Sequence, residues 1–168
     1  MENTKFMKGL AMRILVISDS HGRCGRIEQI IEAQPTAKHI FFLGDCVRDI
    51  EDYPYIYADR TFHIVSGNCD YASTYKSADT VVLEGKKIFF THGHHLSVKS
   101  GISRLKAYAE IENADLVLFG HTHIATKEYA NGVHFVNPGS ISSAREGRCS
   151  YAVIDIEKNG IMPIHIEI

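Results

Sequence analysis

The residues best suited to chemistry lie in five short polar clusters spread along the chain. Each cluster contributes aspartate, asparagine or histidine, whose oxygen and nitrogen atoms bind divalent cations. Together they supply seven such side chains and no sulfur, which is more than one tetrahedral ion can use. The sequence therefore predicts two cations that share a carboxylate. The clusters are Asp19-Ser20-His21, Gly44-Asp45, Gly67-Asn68, Thr91-His92 and Gly120-His121-Thr122-His123.

Each cluster follows an apolar run that predicts a buried β-strand. Continuous runs rich in β-branched and aromatic residues are typical of strands covered on both faces. Polar residues at the carboxyl ends of neighbouring strands converge in space even when they are far apart in sequence. His121 and His123 alternate, so a strand end would direct both to the same face. The runs are residues 14–17, 40–43, 62–65, 88–90 and 116–119.

Length and composition indicate a single domain, and the small net charge gives it no strong electrostatic field. A chain of 168 residues with 45% hydrophobic content can bury one substantial core. Residues 1–11 show no pattern, and we expect them to be an N-terminal extension. The net charge of −2 favours neither nucleic acid nor an anionic membrane, and no apolar stretch approaches membrane-spanning length.

The four cysteines favour a reducing compartment. Cys24, Cys46, Cys69 and Cys149 show no C-x-x-C spacing, and no signal peptide precedes them. Disulfide frameworks occur mainly in secreted proteins. We therefore expect a cytoplasmic location.

The elements between the clusters predict a mixed α/β architecture. A helix over 25–33, ended by Pro35, forms a βαβ unit with the first two strands. Residues 49–57 indicate an irregular or short helical connection. A second helix over 102–111 has an apolar face, and polar residues lie opposite it. The residues of that apolar face are Ile102, Leu105, Tyr108, Ala109 and Ile111.

Three hairpins are predicted in the second half of the chain. The turn 84–86 joins strands 81–83 and 87–90, and further turns lie at 130–132 and 158–160. The last two contain Asn-Gly, which supplies the positive φ angles of tight turns. A βαβ start followed by hairpins suggests two sheets packed face to face with helices outside.

The five clusters, in this order, resemble those of the calcineurin-like metallophosphoesterase superfamily. The later stretch Asn137-Pro138-Gly139-Ser140 resembles its small single-domain phosphodiesterase branch. One cluster alone occurs by chance in many proteins, but five in order over residues 13–140 are specific. The resemblance implies a four-layer αββα sandwich of two mixed β-sheets flanked by helices.

The resemblance also implies which residues hold which cation. Asp45 would bridge the cations, since a carboxylate can bind one through each oxygen. Asp45, Asn68 and His92 would lie nearest the reaction. Mn²⁺ is the expected metal, with Fe, Zn and Ni as alternatives. One cation would bind Asp19, His21, Asp45 and His123, and the other Asp45, Asn68, His92 and His121.

One position departs from the family pattern. Many relatives carry a histidine after the asparagine ligand, where it protonates the leaving oxygen, but here Cys69 and Asp70 follow Asn68. Cys69 could donate that proton or pack inertly, and inert packing is the commoner behaviour of a structural thiol. Asp70 is expected to orient a ligand.

The remaining histidines divide into two groups. His94 follows His92 by two residues, and either faces the substrate cleft or lies in a solvated loop. No functional role is predicted for the others. These are His39, His63, His95, His134 and His165.

The resemblance implies hydrolysis of a phosphodiester by a hydroxide activated between two metal ions. We expect a small-molecule substrate and no specific nucleic-acid binding, because nucleases usually approach their polyanion through positive charge. Alternatives on the same fold are a protein-binding scaffold like the retromer subunit, a nuclease and a phosphomonoesterase. The retromer subunit lacks a complete histidine set, whereas this chain has one. A homodimer is left open.

A monoesterase would need fixed cations beside the metals to bind the extra phosphate charge. Only Arg23, Arg48 and Lys99 lie near the clusters. The acidic neighbours of Arg48, among them Asp49, are expected to neutralise it. The sequence therefore predicts that the diester is preferred to the monoester.

Overall fold

A computed structural model describes residues 11–168, and the predicted extension at 1–11 falls almost wholly outside them. The described chain contains ten strands, three α-helices and three short 3₁₀ turns. The helices are α1 Cys24–Ala33, α2 Tyr53–Ile56 and α3 Ser103–Glu112, and the 3₁₀ turns are Val47–Asp49, His94–Leu96 and Val98–Ser100. The strands are β1 Met12–Ile17, β2 His39–Phe42, β3 Thr61–Ile64, β4 Ala78–Leu83, β5 Lys86–Thr91, β6 Leu116–Phe119, β7 Ala125–Ala130, β8 Val133–Pro138, β9 Ser150–Glu157 and β10 Gly160–Glu167.

The strands form two five-stranded mixed sheets. The first has the order β10-β9-β1-β2-β3 and the second β4-β5-β6-β8-β7. Strands β1, β2 and β3 run parallel to one another, as do β5, β6 and β8. The five ligand clusters follow β1, β2, β3, β5 and β6, so they leave each sheet at the carboxyl ends of parallel strands.

Three apolar clusters define four layers. Side chains such as Phe41 of the first sheet and Phe90 of the second fill the space between the sheets, and these two rings meet edge to face at 5.1 Å. Isoleucines of α1 cover the outer face of the first sheet, and Leu105 of α3 covers that of the second. Alternation along β1 explains this, because Ile14 faces the inner layer and Leu15 the outer one. The predicted αββα sandwich is confirmed.

The strand predictions hold, with one difference in burial. Strand β6 occupies residues 116–119 as predicted, and the other four lie within two residues of their predicted bounds. Strand β3 is not covered on both faces, since Phe62, His63 and Ile64 are only half-buried. It forms the edge of the first sheet, and an edge strand has a neighbour on one side only.

The helix predictions hold to one residue, but the apolar face of α3 is narrower than predicted. Leu105 and Ala109 are buried, whereas Tyr108 is 46% exposed and Ile111 72% exposed. Ile111 lies six positions after Leu105, which places it about 120° away around the helix. The connection at 49–57 is short and helical, as α2 and the turn before it show.

All three predicted hairpins are present, but only one of the two Asn-Gly turns contains the predicted positive φ angles. Glu84-Gly85 forms a two-residue turn, and Lys86 already pairs with Leu83 in the strand. Asn131 and Gly132 have φ of 53° and 82°. The third differs, since neither Asn159 nor Gly160 is among the described residues with positive φ. Gly160 instead pairs with Glu157 as the first residue of β10, so the turn is Lys158-Asn159.

Within residues 11–168, no helix is long and apolar enough to cross a membrane.

Candidate metal centre

Two glycines allow the loops after β2 and β3 to meet. A Cβ atom on Gly44 would lie 2.5 Å from the backbone nitrogen of Gly67, and one on Gly67 would lie 2.5 Å from that of Asp45. Any side chain at either position would force the loops apart. The glycines of the two clusters thus allow Asp45 to approach Asn68.

A third glycine brings the loop after β6 to the end of β1. A Cβ on Gly120 would collide with the hydroxyl of Ser18 and lie 3.0 Å from Asp19 Oδ2. The same carboxylate oxygen accepts hydrogen bonds from the Ser18 hydroxyl at 2.6 Å and the His121 backbone N–H at 3.2 Å. Asp19 therefore holds the histidine loop against β1.

Backbone strain is concentrated in these loops. Among the described residues, ten non-glycine residues have positive φ, and five of them are predicted ligands. Each such conformation costs about 1 kcal/mol or more and persists only where surrounding contacts enforce it. His121 and His123 have φ of 69° and 59°, so their shared direction comes from a left-handed loop and not from the predicted strand alternation. The five are Asp19, His21, Asp45, His121 and His123.

Two groups of side chains could each hold a cation, and both contain Asp45. Within each group, one ligand atom per residue lies within 4.8 Å of every other. Asn68 joins the second group, since its Oδ1 lies 3.2 Å from His92 Nε2. All seven predicted ligand residues thus meet at one site. The first group is Asp19, His21, Asp45 and His123, and the second is Asp45, His92 and His121.

Hydrogen bonds fix which nitrogen two of the histidines present. The Nδ1 atom of His92 lies 2.6 Å from the carbonyl oxygen of Leu43, and that of His123 lies 2.8 Å from the carbonyl oxygen of Ser143. A carbonyl can only accept, so each Nδ1 carries the proton. In the neutral rings, both Nε2 atoms therefore direct a lone pair into the site, as metal-ligating histidines do.

Both Nε2 atoms consequently lie close to carboxylate oxygens, which are acceptors as well. His92 Nε2 lies 3.5 Å from Asp45 Oδ1. His123 Nε2 lies 3.2 Å from Asp19 Oδ1, which is buried and has no hydrogen-bond partner among the described residues. Buried polar atoms without partners are rare in proteins. The residues therefore fit divalent cations, which would satisfy these lone pairs together.

The acid–base properties of the ligands follow from this crowding. Burial favours the neutral form of Asp19, but contacts with His123 and His92 outweigh it, so the pKa of Asp19 lies below its ordinary value. Asp19 in turn raises the pKa of His123. Burial, followed by the charge of His92, lowers the pKa of His121 to about 4. His121 is therefore neutral near pH 7 and free to bind a cation.

Asp70 positions the loop that carries Asp45. Its carboxylate accepts hydrogen bonds from four backbone N–H groups, at 2.8 to 3.0 Å. Three of these belong to consecutive residues that begin with Asp45, and the fourth belongs to Gly67. A single carboxylate thus joins the loops after β2 and β3. Asp70 thereby fixes the backbone of Asp45, while an effect on cation binding stays a prediction.

Asp49 is a positioning residue that the sequence reasoning missed. It was expected to neutralise Arg48, but its Oδ2 accepts hydrogen bonds from the Ser20 hydroxyl at 2.6 Å and the Gly22 N–H at 2.7 Å. Asp49 therefore holds the loop that carries His21. Only its position shortly after Asp45 could have drawn attention to it.

The later stretch around Asn137 supports the site from behind. The Asn137 amide donates to the Gly120 carbonyl at 2.9 Å and lies 3.0 Å from the Thr122 hydroxyl. The Ser140 hydroxyl donates to the Asp19 carbonyl at 2.8 Å. This stretch therefore connects the loop after β6 with the loop after β1.

Cys69 touches the shared carboxylate twice. Its backbone N–H donates to Asp45 Oδ1 at 2.9 Å, and its Sγ lies 3.4 Å from Asp45 Oδ2. Burial and the charge of Asp45 raise the pKa of the thiol to about 11. The thiol is therefore protonated near pH 7.

His94 lies beside the histidines of the second group. Its ring centroid is 5.4 Å from that of His92 and 6.0 Å from that of His121. Its Nδ1 is buried and lacks a hydrogen-bond partner among the described residues, and burial lowers its pKa. His95 is exposed and packs on His94 at 3.8 Å. His94 therefore lies beside two of the predicted ligands, and its role stays a prediction.

Comparison with known proteins agrees with this arrangement. The family model of the calcineurin-like phosphoesterase superfamily domain matches residues 12–159. The chain is 33% identical over 150 residues to the probable metallophosphoesterase YsnB of Bacillus subtilis. The alignment covers 88% of this chain and 86% of YsnB. It is 29% identical over 168 aligned residues to the phosphodiesterase YfcE of Escherichia coli K12. This alignment covers 86% of this chain and 88% of YfcE.

Two further similarities extend the range of relatives. The crystal structure of a predicted phosphoesterase from Streptococcus pneumoniae superposes with a TM-score of 0.80 at 27% identity, covering 93% of this chain and 89% of that one. Vacuolar protein sorting-associated protein 29 of Schizosaccharomyces pombe is 35% identical over 81 residues, 48% of this chain and 43% of that protein.

The protein therefore belongs to the metal-dependent calcineurin-like phosphoesterase superfamily. Its relatives include both metallophosphoesterases and a vacuolar sorting protein.

Proposed function

We propose that this protein is a phosphodiesterase that hydrolyses a small phosphodiester with two divalent cations, Mn²⁺ being the expected metal. The observation that carries the proposal is the sharing of Asp45 by two complete donor groups. Its Oδ2 lies 3.7 Å from His21 Nε2 in the first group, and its Oδ1 lies 3.5 Å from His92 Nε2 in the second. Each oxygen thus faces a different group, as a bridging carboxylate requires.

Two cations held in this way would bind the phosphate oxygens, lower the pKa of a water between them and stabilise the leaving oxygen. The protein itself keeps the seven ligands in place through Asp70, Asp49 and the stretch around Asn137. Because the activated water would attack the phosphorus, the mechanism needs no nucleophilic side chain, and the protein residues act mainly as cation ligands.

The proton for the leaving oxygen has two candidate sources. Cys69 occupies the position of the histidine acid of many relatives and carries its proton near pH 7, whereas His94 lies beside the second group. A thiol with a pKa of about 11 is a weak acid at neutral pH. We propose that Cys69 chiefly orients Asp45, and that the leaving group needs no strong protein acid.

We expect a diester to be preferred to a monoester because the positive side chains near the site are exposed and none is buried beside the ligands. A monoester carries an additional negative charge, which phosphatases usually bind with arginine. The charges of Lys99 and Arg145 act on the pKa of His121 and His123, but neither side chain is buried in the site. Arg23 and Arg48 are likewise exposed. The similarity to YfcE, named a phosphodiesterase, supports the same conclusion.

Two alternatives are less well supported. A protein-binding scaffold would not need a full set of cation ligands, yet here every predicted ligand lies in the site. A nuclease would need a positively charged surface along which a polyanion could approach, which a net charge of −2 does not provide.

The cysteines bear on the location. All four are free, which suits the reducing cytoplasm, where we place the enzyme.

A paired assay tests the proposal. Bis(p-nitrophenyl) phosphate and p-nitrophenyl phosphate release the same leaving group, and we expect a higher kcat/KM for the diester in Mn²⁺. Chelation should abolish the activity, and Mn²⁺ should restore it. Protein that hydrolyses neither ester after loading would support the scaffold alternative, and a clear preference for the monoester would show that an additional cation takes part.

A further inference from the structure

Large, poorly covered side chains occur in two segments beside the metal centre. Tyr71 is 95% exposed and Tyr55 85%, with Ile56 at 65% and Tyr75 at 36%. Single exposed apolar residues are ordinary, but several aromatic residues together often mark a binding surface. We call these four residues the tyrosine rim.

The loop that carries Tyr71 begins within the metal centre. Residues Cys69 and Asp70, which immediately precede Tyr71, both contact Asp45. Only two residues separate Tyr71 from the ligand Asn68, so their Cα atoms, three steps of chain apart, lie at most about 11 Å from each other. A molecule with its phosphate at the cations could therefore place one ring system beside Tyr71.

Helix α2 lies between this loop and the loop that carries His21. On one side, the Tyr53 hydroxyl donates to the Cys24 carbonyl at 3.0 Å, where α1 begins. On the other side, Asp70, which precedes Tyr71, accepts a hydrogen bond from the Val47 N–H at 2.8 Å, in the turn that leads to α2. The two segments of the rim thus leave loops that Asp70 joins.

Backbone hydrogen bonds close the base of the tyrosine loop. The Ser66 N–H donates to the Lys76 carbonyl at 2.9 Å, and the Ser66 hydroxyl donates to the Tyr75 carbonyl at 3.0 Å. Ser73 N–H donates to the Asp70 carbonyl at 3.1 Å. The backbone beneath the rings is therefore held before any ligand binds, which lowers the entropic cost of stacking.

Charge on the rim limits what can bind there. Glu51 and Asp52 are exposed on the approach to α2, and Lys76 pairs with Asp79 at 3.1 Å. A strand of nucleic acid would place many phosphates against these carboxylates. A molecule with one phosphodiester charge, held at the cations, would place only its uncharged ring on the rim.

We propose that the tyrosine rim binds a planar aromatic group, such as a nucleobase, on the ester arm of the substrate that is not the leaving group. This inference rests on the proposed phosphodiesterase function. Aromatic stacking is tolerant of ring identity, and removal of one stacking side chain weakens binding by roughly fivefold to a hundredfold.

Two diesters with the same leaving group test the inference. Thymidine 5′-(p-nitrophenyl phosphate) and methyl p-nitrophenyl phosphate both release p-nitrophenolate, but only the first carries a base. With the Mn²⁺-loaded protein, we expect a KM roughly tenfold lower for the thymidine ester. Tyr71→Ala should raise that KM roughly five- to tenfold, while Tyr71→Phe should preserve it.

Tyr129→Ala is the matched control, since Tyr129 is 65% exposed on β7, the edge strand of the second sheet. It should leave both esters unaffected. Equal KM values for the two esters, or an equal effect of Tyr71→Ala on both, would overturn the inference while the phosphodiesterase function stands. A change of oligomeric state in Tyr71→Ala, measured by size-exclusion chromatography, would make the rim a contact between copies and would also overturn it.

Failure of the phosphodiesterase function would be visible separately, as absence of methyl ester hydrolysis by the wild-type protein. In that case, titration calorimetry with thymidine 5′-monophosphate on the same variants still tests the rim. Binding weakened by Tyr71→Ala and not by Tyr129→Ala would support it. Equal binding by all variants would contradict it.

Discussion

The two donor groups that share Asp45 differ in how firmly the fold holds one histidine of each. His92 of the second group is fully buried, and its ring is fixed by a hydrogen bond to the Leu43 carbonyl in the core. His21 of the first group lies on an exposed loop, with 32% of its side chain accessible. A ligand fixed by the core is already in position, whereas a ligand on a loop must be ordered when the cation binds. His92 is thus part of the core, whereas His21 is held by a loop.

This difference predicts unequal affinities for the two cations. The second group should bind first and more tightly, because His92 is already in position. Asp45 should couple the two, since it contributes to both.

The largest expected effect is that of Asp45→Asn. The change removes a negative charge from both groups at once, so we expect loss of both cations and at least a thousandfold fall in diesterase kcat/KM, a barrier rise of roughly 4 kcal/mol. His39→Ala is the control, because His39 lies at the start of β2, away from the clusters, and it should retain metal and activity. An Asp45→Asn protein with two bound metals and full activity would show that the two cations do not depend on a shared Asp45 carboxylate.

A pair of histidine variants tests the asymmetry directly. His92→Ala should abolish binding at the tighter site and lower kcat/KM by roughly a thousandfold. His21→Ala should leave one cation bound and lower activity less, by roughly ten- to a hundredfold. Calorimetric titration of both variants with Mn²⁺ measures the affinities of the two cation sites. Equal losses in the two variants would mean that the fold holds the groups alike.

Asp70→Asn should act on stability as well as on metal binding. Four backbone N–H groups donate to this carboxylate, and an amide nitrogen in place of one oxygen would face donors. We expect a loss of about 2–3 kcal/mol in the free energy of unfolding, with weaker binding at both cation sites. Asp59→Asn, which removes a surface ion pair with Lys38, should change little. Urea denaturation of the metal-free proteins would decide, and similar midpoints for the two variants would contradict the role of Asp70.

The smallest expected effect is that of Cys69→Ser. If the thiol orients Asp45 and is not the acid, a serine hydroxyl can replace its contact, and turnover should stay within roughly threefold. The rate should also keep its dependence on pH. A fall of roughly a thousandfold with metal content intact would instead identify Cys69 as the general acid.

Much of the fold could be predicted, because strand burial and loop chemistry are local in sequence. Strand β6 is buried on both faces and its apolar run shows it without ambiguity, and the Asn131-Gly132 turn has the expected φ angles. The pattern could not show that β3 lies at a sheet edge, because neighbour order depends on pairing between distant segments. It also missed that β9 pairs with β1.

The same limit applies to the site. The ligands could be predicted because each stands at a strand end with a metal-binding side chain. Asp49 could not be assigned, since its partners Ser20 and Gly22 lie 27 or more residues earlier. The left-handed backbone of His121 and His123 is likewise enforced by tertiary contacts, such as that of Asp19 with the loop, and not by the residues themselves.

The central claim is that Asp45 joins two cations. The most direct test is the anomalous scattering of crystals grown with Mn²⁺. We predict two manganese peaks about 3.5–4 Å apart with the Asp45 carboxylate between them. One ligated by His92 should reach full occupancy at lower Mn²⁺ concentration than the one ligated by His21. A single peak at saturating Mn²⁺, or two peaks of which Asp45 touches only one, would contradict the claim.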